Sequence, residues 1–266
     1  MLKHLLATRF MKLDLKKYHR LVEETEASEE FQAWRKAGLV QETHFPHLTH
    51  CLPSLLGQFV EGTFRFRCRH FAVTYRADPS LPPGSLWHRL RHITQRNQIT
   101  TRILEIIGDR QGPYLQSHDP LALNIVPYKE IKTLYQHRWQ GEYIDESIVS
   151  RVVRQRVLFD FNDKPCPLKE LLPSRSRWLG NRIVRLLETD CAEMTDIGLA
   201  IVLAIRYNLP VTSRHVGYCR ARMGLPPSRV RTGNVPGVIR RIFSGICCHS
   251  TGSPSPPYPM RPEFTR

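Results

Sequence analysis

Arginine is the side chain with the strongest chemical signature in this sequence, and it is concentrated at one end. Between Asp196 and Glu263 there is no acidic residue, while Arg206, Arg214, Arg220, Arg222, Arg229, Arg231, Arg240, Arg241 and Arg261 all occur. A guanidinium offers a planar fork of donors that matches phosphate oxygens and the major-groove edge of guanine. The whole chain carries a formal net charge of +15, and such a field gathers polyanions near the surface. A plain solvated basic face, or attraction to ribosomes or an anionic membrane, fits the same charge. A second group, Ser147, Ser150, Arg151 and Arg154, places hydroxyls and guanidiniums on one short segment. These are also residue types that reach phosphates and base edges.

Other chemistries find less support. His44, His47, His50 and Cys51, with Cys68 and His70 further on, supply the ligand types of a tetrahedral zinc site. The histidines are spaced by three, however, and Cys68 and His70 sit in strand-like sequence, so the set is not a standard finger. They are read as surface or packed side chains, and neither a metal nor a cofactor is assigned. Cys166, Cys191 and Cys219 adjoin no triad signature, and the phosphate-binding glycine motifs are absent. The expectation is a protein without an active site of its own. Seven cysteines in no regular framework suggest a reducing, cytoplasmic compartment. No apolar run approaches the length of a membrane span, and the first residues lack the pattern of a secretory leader.

The elements that must position these residues are mostly helical. Apolar content of 41% is enough for real cores, and 20 prolines favour short modules with stiff connectors. A modest helical signal covers 13–34. The run "FRFRCRHFAVTY", from Phe64 on, alternates and then turns aromatic and β-branched, which predicts a strand closed by Pro79, Pro82, Pro83 and Gly84. The clearest helix spans 86–112, with Ser85 as its cap and Trp87, Leu90, Ile93, Ile99, Ile103, Ile106 and Ile107 on its apolar side. Residues 121–172 read as short helices with turns, one of them opening at Asp145 or Glu146. In 180–225, one apolar stripe is Ile183, Val184, Leu186 and Leu187. A second, expected to be buried, is Met194, Ile197, Leu199, Ile201, Val202 and Ile205. Asn208, Leu209 and Pro210 break the chain before a short arginine-rich helix that opens at Thr212 or Ser213 and ends at Gly224. The expected fold class is mainly α, built of multi-helical modules with helix-turn-helix elements, a small β-containing or irregular segment near 60–75, and a disordered tail over 232–266.

Three stretches in this order resemble the bacterial sigma-54 family. They are "LWHRLRHITQRNQITTRILEIIGDRQGPYLQSHDPLAL" (86–123), "DESIVSRVVRQRVLFDFNDKPCPLKELLP" (145–173) and "VTSRHVGYCRARMGLPPSRVR" (211–231). The last is similar to the family's A-R-R-T-V-A-K-Y-R-E box, which falls on Thr212–Ala221. Arg214, Val216 and Arg220 match it, and the other seven positions differ. The resemblance implies a divergent N-terminal or partial core-binding segment over 1–80, a core-binding region with a helix-turn-helix-like element over 81–175, and a DNA-binding domain over 176–231. It implies contact with RNA polymerase core through Trp87, Arg91, Arg102 and Arg110. It further implies contact with double-stranded promoter DNA through Ser147, Ser150, Arg151, Arg154, Arg214, His215, Tyr218, Arg220 and Arg222. The family also answers to an ATPase activator through a glutamine- and leucine-rich region. Residues 1–40 depart from that pattern, with five glutamates within 23–30 but only Gln32, and then Gln41, as glutamines nearby. The expected function is thus a transcription factor that directs initiation at the bacterial nucleoid. A stand-alone DNA-binding repressor or polymerase antagonist is the alternative, and a remnant that binds neither partner strongly is a third.

Overall fold

A computed structural model describes residues 11–227 apart from 141, 160–161 and 190–193; the tail expected over 232–266 lies outside the described residues. Asp14 caps helix α1 (Leu15–Ala27) by accepting from the Lys17 N–H at 2.8 Å. Ser28 ends α1 and caps α2 (Glu29–Lys36) by accepting from the Phe31 N–H at 3.3 Å. Strand β1 (Val40–His44) follows. Strands β2 (Gly57–Val60) and β3 (Thr63–Phe66) then form a hairpin. Its two turn residues, Glu61 and Gly62, have φ of 50° and 77°, the positive values that a tight two-residue hairpin demands and that glycine adopts without strain.

One helical turn, α3 (Arg69–Ala72), leads into β4 (Val73–Ala77), which pairs antiparallel with β1. Next come α4 (Ser85–Ser117), α5 (Tyr128–Arg138) and α6 (Glu146–Val153). Strands β5 (Arg156–Phe159) and β6 (Asn162–Pro167) complete a four-stranded sheet in the order β3-β2-β5-β6, with β5 parallel to β2. Helices α7 (Arg175–Thr189), α8 (Asp196–Tyr207) and α9 (Ser213–Arg222) end the described chain. The fold is mainly helical with a small mixed β-region.

Several local expectations change. The strand expected from Phe64 onward is interrupted by α3, so its two halves serve different sheets. Residues 156–159 and 162–167, expected to be helical, are strands. Val157 and Phe159 are buried while Arg156 is exposed and Leu158 half-buried, and the parallel partner β2 is contributed from about a hundred residues upstream. Pairing with so distant a segment leaves no local trace. Pro165 and Pro167 sit on β6, an edge strand, where a missing donor is tolerated. Helix α4 begins after Gly84, with Ser85 as its first residue, and runs through Pro113 to a left-handed His118 (φ 57°).

The described residues build two cores. The larger draws on side chains from Met11 to Leu171, so the division expected at residue 80 is crossed by packing of α1 and β1–β4 against α4. The smaller draws on Leu179 to Leu225. Within the larger core the buried amide of Asn97 joins three segments. It donates to the carbonyls of His70 (3.1 Å) and Val73 (2.7 Å), and its oxygen accepts from the Tyr18 hydroxyl (2.9 Å). The neighbouring Arg96, also buried, lays its guanidinium 3.4 Å from the centroid of the Tyr18 ring and donates to the Leu13 carbonyl. Thr94 bonds both backbone groups of Tyr75, acting for β4 as a neighbouring strand would. Near the other end of α4, Gln111 clamps the backbone N–H and C=O of Asn124 at 2.9 and 2.8 Å.

A second polar centre ties α1 to the β1–β4 side. Glu26 accepts from Tyr75 and Arg69 and lies 3.4 Å from His70 Nε2. Burial opposes its ionisation, but the hydrogen bonds from His70, Tyr75 and Arg69 prevail and hold its pKa at about 2.

Asn97→Ala is expected to lower the unfolding free energy by about 2–3 kcal/mol in a urea titration, because it removes the amide donor from two carbonyls and leaves the buried Tyr18 hydroxyl only its longer bond to the Ile93 carbonyl. Glu26 makes a prediction with a definite sign. Its folded pKa lies below the ordinary value of 4.5, so its stabilisation is complete above that value and is lost as the pH falls toward about 2. The loss is of order 3 kcal/mol across that window. Glu26→Gln is expected to be less stable than the wild type at pH 7 and to show a flatter acid-unfolding profile between those limits. Parallel profiles for the two proteins would sink the assignment.

Candidate nucleic-acid interface

Helices α7, α8 and α9 form a three-helix unit in which a short corner joins α8 to α9. The α7 residues Leu179, Ile183, Val184, Leu186 and Leu187 are buried, and they pack with Leu199, Ala200 and Leu203 of α8 and Val216 and Cys219 of α9. Thr195 caps α8 by accepting from the Gly198 N–H at 3.2 Å. Asn208, left-handed at φ 50°, ends it. Residues 208–212 make the corner, and Thr212 caps α9 by accepting from the His215 N–H at 3.2 Å. Those corner and cap signals were legible in the sequence. The second apolar stripe was not read correctly. Leu199 is buried, but Ile197, Ile201 and Ile205 are 63%, 55% and 81% exposed on the opposite side of α8. Both sides of α8 repeat with helical spacing, and periodicity alone does not say which one a small unit can cover.

The orientation of α9 is set by an ion pair across the corner. Asp196, the first residue of α8, accepts from Arg220 Nε at 2.9 Å and from Nη2 at 3.2 Å, while Nη1 donates to the Leu225 carbonyl at 2.7 Å. A two-pronged carboxylate contact of this kind fixes angle as well as distance. Gly217 makes the approach possible, since a Cβ placed there would lie 2.9 Å from Asp196 Oδ2. Arg220 is therefore buried, and its burial reassigns it from the expected phosphate contact to holding the helix in place.

With Arg220 turned inward, the outward face of α9 carries Arg214, Tyr218, Ala221 and Arg222, all exposed. Arg214, Tyr218 and Arg222 are spaced by four, which aligns them along one side of the helix. His215 is half-buried beside them, and its Nε2 is buried without a hydrogen-bond partner. Arg206, at the end of α8, is exposed as well. The unit thus presents a short helix with a narrow apolar footing and a cationic, aromatic outer side.

The second expected group is arranged less openly. On α6, Ile148, Val149, Val152 and Val153 are buried, Ser147 and Arg154 are exposed, and Ser150 and Arg151 are half-buried. Asp145 caps this helix. A hydrogen bond from the Ser147 hydroxyl, with those from the Ile148 and Ser147 N–H groups, holds the Asp145 carboxyl below the ordinary range despite partial burial. Helix α5 precedes α6, but residues 139–145 separate them, a longer connection than the three- or four-residue turn of a simple helix-turn-helix.

The four residues assigned to polymerase also divide. Arg102 pairs with Glu142, donates to the Tyr135 hydroxyl at 3.2 Å and stacks on Trp139. Arg110 pairs with Glu130 at 2.9 Å. Both tether α5 and its exit to α4, as does Arg138 with Asp109 at 2.6 Å. Trp87 is half-buried near the start of α4, and exposed Arg91 lies over its ring at 5.3 Å. Trp87 and Arg91 form a contact-capable pair, whereas Arg102 and Arg110 are largely structural.

Sequence reasoning missed Asp196 and Gly217. A signal for the first was present: it is the last acid before the acid-free, arginine-rich stretch, and so the nearest partner for an arginine that must be buried. Two thiols outside the disulfide described below, Cys166 and Cys219, are both pushed up by burial, Cys166 to about 11. Neither environment favours a thiolate nucleophile. Among the described residues no helix is long and apolar enough to cross a membrane. The chain matches no protein-family model, no curated protein and no solved structure.

Gly217→Ala and Arg220→Ala are expected to destabilise the α7–α9 unit by about 1–3 kcal/mol each, through collision with Asp196 or through loss of its partner by a half-buried carboxylate and by the Leu225 carbonyl. Arg222→Ala, on the outer face, should stay within about 0.5 kcal/mol of the wild type. Thermal denaturation followed by circular dichroism separates the two classes, and equal losses for all three would contradict the inward placement of Arg220.

Proposed function

We propose that this chain binds promoter DNA and RNA polymerase core as a transcription factor of the sigma-54 type, with α9 lying in the major groove. The observation that carries the reading is the outer face of α9, Arg214, Tyr218 and Arg222, held outward by the Asp196–Arg220 pair. Arg214 is placed in the first turn of the helix, where a guanidinium can reach a guanine edge. Arg222, in the last turn, serves a phosphate, and Tyr218 between them packs on the backbone or a base. Ser147 and Arg154 of α6 extend the DNA-facing surface, and Trp87 with Arg91 supplies a docking point for polymerase core.

The mechanism is positional. The protein contributes register and affinity, and polymerase contributes the chemistry. Direct DNA binding is expected to weaken steeply with salt as condensed counterions are released. Arg222→Ala should reduce the slope of log K against log salt by about 1, with little effect on sequence preference. Arg214→Ala should cost about 1–3 kcal/mol on the preferred site and flatten discrimination at one base pair. Co-purification with bacterial core RNA polymerase at two salt concentrations tests the other half. A Trp87→Ala/Arg91→Ala variant is the control, because Arg102 and Arg110 are engaged within the chain. Retention that depends on Trp87 and Arg91 supports the polymerase-bound factor. Specific DNA binding with no retention would replace it with a stand-alone repressor.

A further inference from the structure

The loop before β2, the single-turn helix α3 and the middle of α1 converge on a cleft of about 460 Å³, lined in part by His19, Glu23, His47, Cys51, Arg69 and His70. Cys51 and Cys68 are joined there as a disulfide, so the expectation of reduced thiols throughout does not hold for this pair. Cys68 is fully buried and Cys51 exposed. His19 Nε2 lies 3.2 Å from Cys51 Sγ, and the potential ligand atoms of His19, Cys51 and Cys68 all fall within 4.8 Å of one another. His70 stands two residues beyond Cys68, its ring centroid 4.4 Å from that of His19.

Each histidine has one nitrogen turned to a carboxylate. His19 Nδ1 is 3.2 Å from Glu23, and His70 Nε2 is 3.4 Å from Glu26. What remains is His19 Nε2, aimed at the sulfurs, and His70 Nδ1, buried without a hydrogen-bond partner. A carboxylate behind a ligating imidazole is the usual support of a zinc site, fixing both tautomer and ring plane. Two trios of ligand types therefore share His19, on α1: one with Cys51 and Cys68, the other with Glu23 and His70, and His44, His47 and His50 fall in neither. A four-ligand site would draw His70 in from the second trio to join the first.

We propose that His19, Cys51, Cys68 and His70 form a structural zinc site that alternates with the Cys51–Cys68 disulfide. A disulfide has no thiolate to offer a cation. Reduction by a dithiol breaks the S–S bond and leaves two cysteine thiols, the dithiol departing as its own cyclic disulfide. Zinc then displaces one proton from each thiol and takes two thiolates and two neutral imidazoles. A tetrahedral ion with bonds of about 2.0–2.3 Å keeps its ligand atoms roughly 3.4–3.8 Å apart, so the sulfurs separate modestly as the ion enters. The disulfide ties the 51 loop only to the start of α3. The zinc form would also tie both to α1 through His19, so either redox state retains a crosslink at this corner.

The test uses the full chain, reduced with a phosphine under anaerobic conditions or left oxidised, and titrated with Co²⁺ as a spectroscopic probe. The reduced protein is expected to bind one equivalent with thiolate-to-cobalt charge transfer and tetrahedral ligand-field bands, and Zn²⁺ should displace it. The oxidised protein should bind none. Cys51→Ser should abolish most of the charge transfer, and Cys166→Ser should leave it unchanged. His19→Ala and His70→Ala should each weaken binding by about 10-fold or more with charge transfer retained. If the reduced chain loses its native circular dichroism without metal, adding Zn²⁺ should restore it. The proposal fails if reduced, folded protein takes up no Co²⁺, or if the oxidised protein binds it equally. It fails also if a His19→Ala/His70→Ala double variant binds like the wild type, or if a reduced, unfolded chain is not rescued by Zn²⁺.

Discussion

The amide of Asn97 is the constraint on which the larger core depends. Helix α4 is long enough to touch nearly every other part of that core, but apolar contact alone would leave its rotation and its register against α3 and β4 loosely specified. A buried amide with two carbonyl acceptors and one hydroxyl donor has few satisfactory placements. It fixes which residues of α4 face α1 and which face β4. Thr94, one turn earlier, and Gln111, four turns later, bond backbone groups in the same manner. The side chains that serve these backbones all come from one helix, so the small sheets and the loops beyond it take their positions from α4. The Glu26 centre depends on that arrangement too, since Tyr75 and His70 reach it only when β4 and α3 are seated.

The smaller core solves a different problem with similar means. Three short helices bury few side chains, and α9 in particular is anchored by Val216, Cys219 and the stem of Arg220. So narrow a footing would allow the helix to roll. The carboxylate of Asp196 meeting the guanidinium of Arg220 in two places removes that freedom, and the absence of a side chain at Gly217 lets the two helices approach closely enough for it. A buried pair offsets its own desolvation only when the geometry is good and remaining donors are satisfied. The third bond, to the Leu225 carbonyl, meets that condition and ties the helix exit to the same point. Holding the inner side rigidly leaves the outer side free to be wholly polar.

Local sequence reported what is encoded locally. The body of the helix over 86–112, the break at Asn208–Pro210 and the cap at Thr212 follow from spacing and capping chemistry, although the helix starts at Ser85 without a side-chain cap and continues through Pro113 to Ser117. What failed depended on partners distant in sequence. Residues 156–159 became a strand because β2 lies alongside them. The Ile197–Ile201–Ile205 stripe became exposed because α7 and α9 cover the other side of α8. Within one α8, two apolar faces looked alike until the neighbours chose between them. His19 escaped notice for the same reason: a lone histidine on an acidic helix carries no signal until the fold sets it beside Cys51.

Arginine content overstated the cationic surface, and the correction sharpens the functional argument. Arg96 is buried against Tyr18, Arg69 serves Glu26, Arg102 serves Glu142, Arg110 serves Glu130, and Arg220 serves Asp196. These side chains hold the fold together and contribute little directed charge at the surface. Exposed guanidiniums include those of Arg91 at the start of α4, Arg154 at the end of α6, and Arg214 and Arg222 on the outer face of α9, and also Arg20, Arg65, Arg76, Arg175 and Arg185 on other elements. On α9 the exposed guanidiniums lie on the side that the internal ion pair turns outward, so the interaction that stabilises the unit also decides which of its arginines face solvent.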